Sequence, residues 1–300
     1  MVGNVDNAAD SSGYGAVAYS YAIGTYEVTT NQYTAFLNAV AATDTFSLYD
    51  TEMGSSQYGG ITRSGSAGSY SYAVKNGFEN KPVNYVSFWD AARFANWLNN
   101  GQGSSSTETG TYTLGNVTNP VNDSVTRNVG ANWAVASENE WYKAAYFDPT
   151  KGSSGSYWLH ATQSDTLGNN TALNATNGAN YFDGDVVVFT GSNDGALPVG
   201  TYSNAESYYG TFDQGGNTWE WNESTSSTSR GLRGGTWRSS ETFLRSSHRQ
   251  LLVATSGTSL IGFRVTSLAP IPEPSIYGAA IGVLTLGVVV MRRRKARDTR

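Results

Sequence analysis

The sequence predicts a single loop-rich domain of few short helices and strands around an aromatic core, followed by one C-terminal transmembrane helix. Three observations carry that reading. Three segments combine a helix cap with apolar residues at helical spacing. Long Gly-, Ser- and Asn-rich stretches between them show no second hydrophobic period. An uncharged run, Ser275 to Met291, precedes an Arg cluster.

Residues 1–19 read as an N-terminal segment with neither a basic n-region nor an apolar h-region, so a leader upstream of Met1 is expected. The domain is expected over residues 20–268. Thr29 can cap a helix in which Tyr33, Phe36, Leu37 and Val40 form one buried stripe. Ser87 and Asp90 resemble a capping box that opens a helix from Phe88 to Leu98, with Ala91, Ala95, Trp97 and Leu98 inward, before Asn99-Asn100-Gly101 ends it. Ser137 and Glu140 form a full capping box, and Trp141, Ala144 and Ala145 continue that helix until Asp148-Pro149. Trp97 and Trp141 are expected in the core. Short strands are expected at residues 19–26, 124–129, 185–190 and 262–265, and the stretches 54–71, 99–111 and 152–178 read as long surface loops.

Composition narrows the function. Only 14% of the 300 residues are charged, against about 25% in an average soluble domain, while eight Trp, 19 Tyr and 11 Phe can fill a core. Residues 1–291 hold 13 basic and 23 acidic side chains, a net charge of −10 that repels phosphate backbones and argues against nucleic acid as a partner. Cysteine is absent, which removes disulfides, thiolate metal sites and a cysteine nucleophile.

Residues 269–274 read as a Pro-rich linker ending in Pro272-Glu273-Pro274, residues 275–291 as a membrane-crossing helix, and residues 292–300, opening with Arg292-Arg293-Arg294, as a basic cytoplasmic tail. As a helix the apolar run would reach roughly 26 Å, close to a hydrocarbon core of about 30 Å. The positive end stays inside, so the domain is expected outside the cytoplasm. The order of these features resembles the PEP-CTERM sorting signal. That resemblance implies recognition by an exosortase and removal of the tail, with the protein anchored first and then at the cell surface or extracellular; an ordinary single-pass anchor is the alternative.

Six blocks in order carry a second resemblance: residues 26–33 (Tyr26-Glu27-Val28-Thr29), 81–87 (Lys81-Pro82-Val83-Asn84), 136–141 (Ala136-Ser137-Glu138), 216–221 (Gly216-Asn217-Thr218-Trp219-Glu220-Trp221), 233–237 (Arg233-Gly234-Gly235-Thr236-Trp237) and 262–265 (Gly262-Phe263-Arg264-Val265). Together they resemble the formylglycine-generating enzyme (sulfatase-modifying factor) family over about residues 20 to 266, with Ala136 standing where the family usually has Pro. The resemblance implies an α+β domain related to the C-type lectin fold, with calcium ions stapling its loops. By that resemblance one calcium site takes Asp213, Gly216, Asn217, Thr218 and Glu220, and a second takes Asn180, Tyr181 and Asp194. The chemistry agrees, since calcium takes six to eight hard oxygens from carboxylates, amides and backbone carbonyls. Asn217 and Glu220 bonding only turn backbone is the alternative.

Active family members hold Cu(I) with two cysteines five positions apart after the Gly-Gly motif, and use it to oxidise a substrate cysteine. Those positions here are Ser239 and Leu244. A hydroxyl is hard and leucine offers no donor, so calcium is expected as a cofactor and copper is not. Trp219, Thr236, Arg238, His248 and Arg249 remain as a candidate pocket. His248 could act as a base if a carboxylate oriented it, Ser239 would need such a base to become a nucleophile, and His160 shows no partner in the sequence. Two readings stay open: an exported binding module for an extracellular glycan or protein, or an enzyme with cysteine-independent chemistry.

Overall fold

The computed structural model describes residues 1–121, 124–168, 170–171, 173–184 and 195–268. The three anticipated helices form where local sequence places them. Helix α1, Thr30–Val40, is closed by a capping box of Thr29 with Gln32. After a single turn, α2 (Glu52–Ser55), comes α3, Phe88–Asn99, capped by Ser87 and Asp90. Helix α4, Glu138–Tyr146, is capped by Ser137 and Glu140. Each such cap satisfies two amide donors that the first turn leaves open and contributes about 1 kcal/mol.

The strands are β1 (Ala22–Ile23), β2 (Ile61–Ser64), β3 (Ser71–Val74), β4 (Trp133–Val135), β5 (Phe147–Asp148), β6 (Ser156–Tyr157), β7 (Trp219–Ser226), β8 (Ser229–Arg233), β9 (Gln250–Val253), β10 (Ile261–Phe263) and β11 (Val265–Ser267). One sheet runs β10-β7-β8-β9, with β10 parallel to β7 and the other pairs antiparallel. A second, antiparallel sheet runs β1-β11-β4. The chain passes from one sheet to the other at Arg264, between β10 and β11.

Between α1, α3 and these sheets lies the aromatic core. Phe94 packs on Phe36 at 5.4 Å and on Phe263 at 5.4 Å between ring centroids, and Phe88 meets Trp221 at 6.2 Å. Such rings bury large apolar areas and add edge-to-face attraction. Trp97 and Trp141 are buried as expected.

Several expected elements differ. The strand expected at residues 19–26 shortens to β1. Residues 124–129 are not a strand: Arg127 there turns inward to the carboxylates of Glu140 and Glu223, each under 3 Å, and Val129 stands exposed. The expected strand 262–265 divides into β10 and β11 because Arg264 is drawn between them by Glu220. Helix α4 ends at Tyr146, and Phe147–Asp148 pair instead with Ser156–Tyr157. The strand expected at 185–190, Asp194, and the whole tail including Pro272, Glu273, Pro274 and the helix expected at 275–291 lie outside the described residues. Among the described residues no helix is long and apolar enough to cross a membrane.

Candidate functional site

Two neighbouring places gather the residues singled out in the sequence. The first is a buried acidic centre. Glu220 projects from β7, Asp213 and Asn217 lie in the loop before it, and Glu27 arrives from the segment ahead of α1. Asn217 joins them: its Nδ2 donates to Glu27 Oε1 at 3.0 Å, and its Oδ1 accepts from Asn180 Nδ2 at 3.1 Å and from the Leu197 amide at 2.9 Å. Arg264 grips Glu220 with Nε to Oε2 at 2.6 Å and Nη2 to Oε1 at 2.7 Å, while Trp141 Nε1 donates to the same Oε2 at 2.7 Å. Gly216 is required here, because a Cβ on it would stand 2.3 Å from the Asn180 carbonyl oxygen and its φ is +92°.

Charge in this centre is unbalanced. Glu27, Asp213 and Glu220 face one guanidinium, and Arg264 approaches Glu27 only to 4.0 Å. Burial, with Asp213 and then Glu220 nearby, drives the Glu27 carboxyl well above its ordinary range. Burial likewise pushes Asp213 up to about 6, against the hydrogen bond that the Gly200 amide donates to its Oδ2 at 2.6 Å. Glu27 Oε2, Asn180 Oδ1 and Thr218 Oγ1 are buried oxygens without a hydrogen-bond partner among the described residues. Such a cluster needs a proton or a cation to complete it. The hard oxygens fit calcium, although both Glu220 oxygens are already engaged and no group of three acidic or histidine side chains among the described residues is arranged as a metal cage. Backbone carbonyls of the Gly216–Thr218 turn would have to supply the rest. Tyr181, expected in the second calcium site, packs against Ala179 and Leu244, and its carbonyl accepts from Asn170 Nδ2 at 2.7 Å.

The second place is the face after the Gly-Gly turn. Leu244 is 0% exposed and packs on Ala179 and Tyr181; Gly235 makes room for it, since a Cβ there would lie 2.6 Å from Leu244 Cδ1. Ser239 Oγ accepts from the Thr236 amide at 3.0 Å, and the Ser239 carbonyl accepts from the Phe182 amide at 2.8 Å. A hydroxyl held by its own turn and an alkyl chain sealed in apolar contacts do not fit Cu(I), which soft thiolates select. Trp219 and His248 do come together, at 5.8 Å between rings, and Phe243 completes the group at 6.3 Å from Trp219 and 4.6 Å from His248. Phe243 is 39% exposed, so the group presents an open ring to solvent; Phe182, 40% exposed, reaches this segment through its backbone amide on the Ser239 carbonyl. Arg238 is exposed and lies over the Trp237 ring at 5.3 Å, and Trp237 in turn meets Tyr58 at 5.3 Å.

Two candidate residues serve other ends. Arg249 forks onto Glu138, with Nε to Oε1 at 2.9 Å and Nη2 to Oε2 at 2.8 Å, beside Arg233 on the same carboxylate. Burial and then the Arg233 charge hold His248 below the usual histidine range, and no carboxylate among the described residues bonds its ring. The other histidine, His160, is buried with Nε2 at 3.4 Å from Glu241. Phe182, Phe243, Tyr58 and Glu27 were not foreseen as site residues. Of these only Glu27 carried a signal, its place in the Tyr26-Glu27-Val28 block.

An α+β domain with a Gly-Gly turn, a buried arginine after Gly-Phe and a Trp-Glu-Trp strand defines a class, and the family comparison agrees with it. The chain belongs to the sulfatase-modifying factor enzyme 1-like domain family, which matches residues 8–268. Among solved structures it is similar to Treponema denticola variable protein 1, at 18% identity and a TM-score of 0.52 over 88% of this chain and 92% of that one, a likeness of fold alone. It also aligns with CarF, at 20% identity and a TM-score of 0.47 over 84% and 86%, and with PvdO from Pseudomonas aeruginosa, at 18% and 0.46 over 83% and 81%. No curated protein matches it at a significant level.

Proposed function

We propose that this chain is a family member without copper oxidase chemistry, acting as a calcium-stabilised binding module for a glycan or protein at the cell envelope. The observation that carries the reading is Leu244, fully buried in apolar contacts at the position where copper-using relatives place a cysteine. The ligand face is the surface of Trp219, Phe243 and His248, where the exposed Phe243 ring can stack on sugar C–H faces or on apolar side chains. Calcium takes the acidic centre, joining Asp213 and Glu27 Oε2 to backbone carbonyls of the Gly216–Thr218 turn and neutralising the surplus carboxylate. Export and sorting follow the tail: an exosortase recognises Pro272-Glu273-Pro274, residues 275–291 hold the chain in the membrane, and Arg292, Arg293 and Arg294 stay inside. An enzyme centred on Arg238, His248 and Arg249 is disfavoured, since Arg249 is spent on Glu138 and His248 has no orienting acid among the described residues.

The test is a Cu(I) titration of the purified chain, followed by incubation with a cysteine peptide carrying a sulfatase motif and then a glycan array with and without a calcium chelator. The expected outcome is no stoichiometric copper, no formylglycine, and glycan or protein capture that the chelator weakens. Turnover of the peptide would end the binding-module reading, and chelator-insensitive folding would end its calcium part.

A further inference from the structure

The loop from Trp158 to Asp165 meets the segment from Glu241 to His248, which carries Phe243 of the ring face. Across this seam the Ser246 amide donates to the Leu159 carbonyl at 2.8 Å, and His160 Nε2 stands 3.4 Å from Glu241 Oε1. Away from the seam both sides are fastened. The Trp158 amide donates to the Tyr146 carbonyl at 2.9 Å and Trp158 Nε1 to Asp148 Oδ2 at 3.0 Å, while Gln163 Nε2 donates to the Glu206 carbonyl at 3.1 Å. Arg233 Nη1 holds the segment by the carbonyls of Ser246 and His248, each at 2.7 Å. The seam itself is poorly bonded. His160 is 1% exposed, yet neither ring nitrogen has a hydrogen-bond partner among the described residues. Thr162 Oγ1 on the same loop and Arg245 Nε on the facing segment are buried and equally without one. Buried polar atoms left in this state weaken the contact that contains them.

His160 makes that contact sensitive to protons. Glu241 and Arg245 face it from the segment and Asp165 from its own loop, while Tyr146 of α4 donates its hydroxyl to the Leu244 carbonyl at 3.4 Å. Arg245 Nη2 already matches Glu241 at 3.0 Å, and Lys151 Nζ matches Asp165 at 2.9 Å. A proton on His160 therefore adds a buried charge beside pairs that are already balanced. Burial holds the ring below the usual histidine range, with Glu241 acting against it and Arg245 alongside it. Once the loop lifts away, the ring meets water and returns to about 6.5. The closed seam is thus favoured above that pH and loses its advantage as pH falls below it.

We propose that the seam is a proton-operated latch: uptake of a proton by His160 lifts the Trp158–Asp165 loop off the Glu241–His248 segment and removes the backing of the turn that presents Phe243. Release of a captured ligand on acidification follows, and that consequence alone rests on the binding-module reading.

The experiment is amide hydrogen exchange of the full chain without ligand at pH 7.5 and 5.0, corrected for the intrinsic effect of pH on exchange. A pH of 5.0 lies 1.5 units below an ordinary histidine, so protection of the Ser246 amide is expected to fall at least fivefold and at most about thirtyfold. The Lys75 amide, bonded to the Gly60 carbonyl at 2.8 Å, should stay within twofold and reports any general loosening. His160→Gln should abolish the response at Ser246, and His248→Gln should retain it. If His160→Gln does not fold, NMR titration of the His160 ring in the parent decides, with a midpoint below 6.5 expected. Unchanged protection of Ser246, an equal fall at Lys75, a response that survives His160→Gln, or a ring midpoint at or above 6.5 would overturn the latch. Since no ligand is present, failure of the binding-module reading leaves this result standing, and failure of the latch leaves that reading intact.

Discussion

Arg264→Met is the sharpest probe of the buried acidic centre. Arg264 is fully buried and uses all five N–H donors: two on Glu220, one each on the carbonyls of Gly24, Thr25 and Phe212. Methionine fills much of the stem's volume, so the main loss is polar. Removing one partner of a buried ion pair costs about 3–5 kcal/mol, and each carbonyl left without a donor adds roughly 1–3 kcal/mol. At least about 5 kcal/mol is at stake, a large part of the 5–15 kcal/mol that holds a typical domain folded. Urea unfolding with and without calcium measures it, and calcium should recover more stability in the variant, which has lost the guanidinium that faces the centre's carboxylates, than in the parent. Arg264→Lys keeps the charge but loses the planar fork, and should fall between the two. A loss under about 1 kcal/mol for Arg264→Met in both conditions would refute the argument that this arginine balances the buried carboxylates.

The elevated carboxyl of Asp213, at about 6, makes a pH prediction. Between the unfolded value of about 3.9 and that folded value the native state holds a proton the unfolded chain has released, so this group's contribution to stability is present at low pH and lost as pH rises through 6. The loss is at most about 3 kcal/mol; Asp213→Asn and saturating calcium should each flatten it, as read from denaturant midpoints at pH 4.5 and 6.5. Phe243→Ala, at a half-exposed ring, should change stability by about 1 kcal/mol or less while cutting affinity for a captured glycan at least tenfold, and equal capture by both proteins would remove Phe243 from the ligand face.

How much of this was legible in the sequence depended on range. The caps at Thr29, Ser87 and Ser137 act within three residues of their partners, so each helix start could be read from the chain alone. Arg127 could not be: its partners Glu140 and Glu223 lie 13 and 96 residues away, and only the fold brings them together to pull the expected strand at 124–129 into a tether. Arg264 was seen as part of a block, yet its break of the strand pattern follows from Glu220, 44 residues earlier. The same holds at the acidic centre. Asp213, Asn217 and Glu220 cluster in sequence and were named, whereas Glu27 reaches Asn217 across 190 residues. Exposure of Phe243 depends on the 3-10 turn Glu241–Leu244 turning its ring outward while Leu244 turns in, which spacing alone does not state.

The arginines divide by task, and the division decides which substitutions can report on binding. Arg93, Arg127, Arg233, Arg249 and Arg264 all pair with the buried or largely buried carboxylates of Glu108, Glu140, Glu223, Glu138 and Glu220. Arg233 and Arg249 share one carboxylate, so removing Arg249 shifts the balance at Glu138 as well as the surface it covers. A lost function in an Arg249 variant would therefore reflect a disturbed framework as readily as a lost ligand contact. Arg238 differs: it is exposed, lies over Trp237, and forms no ion pair with a described residue. Truncating it removes little more than one exposed cation–aromatic contact, worth about 0.5–1 kcal/mol, so a larger effect on capture can come only from the ligand side of that face.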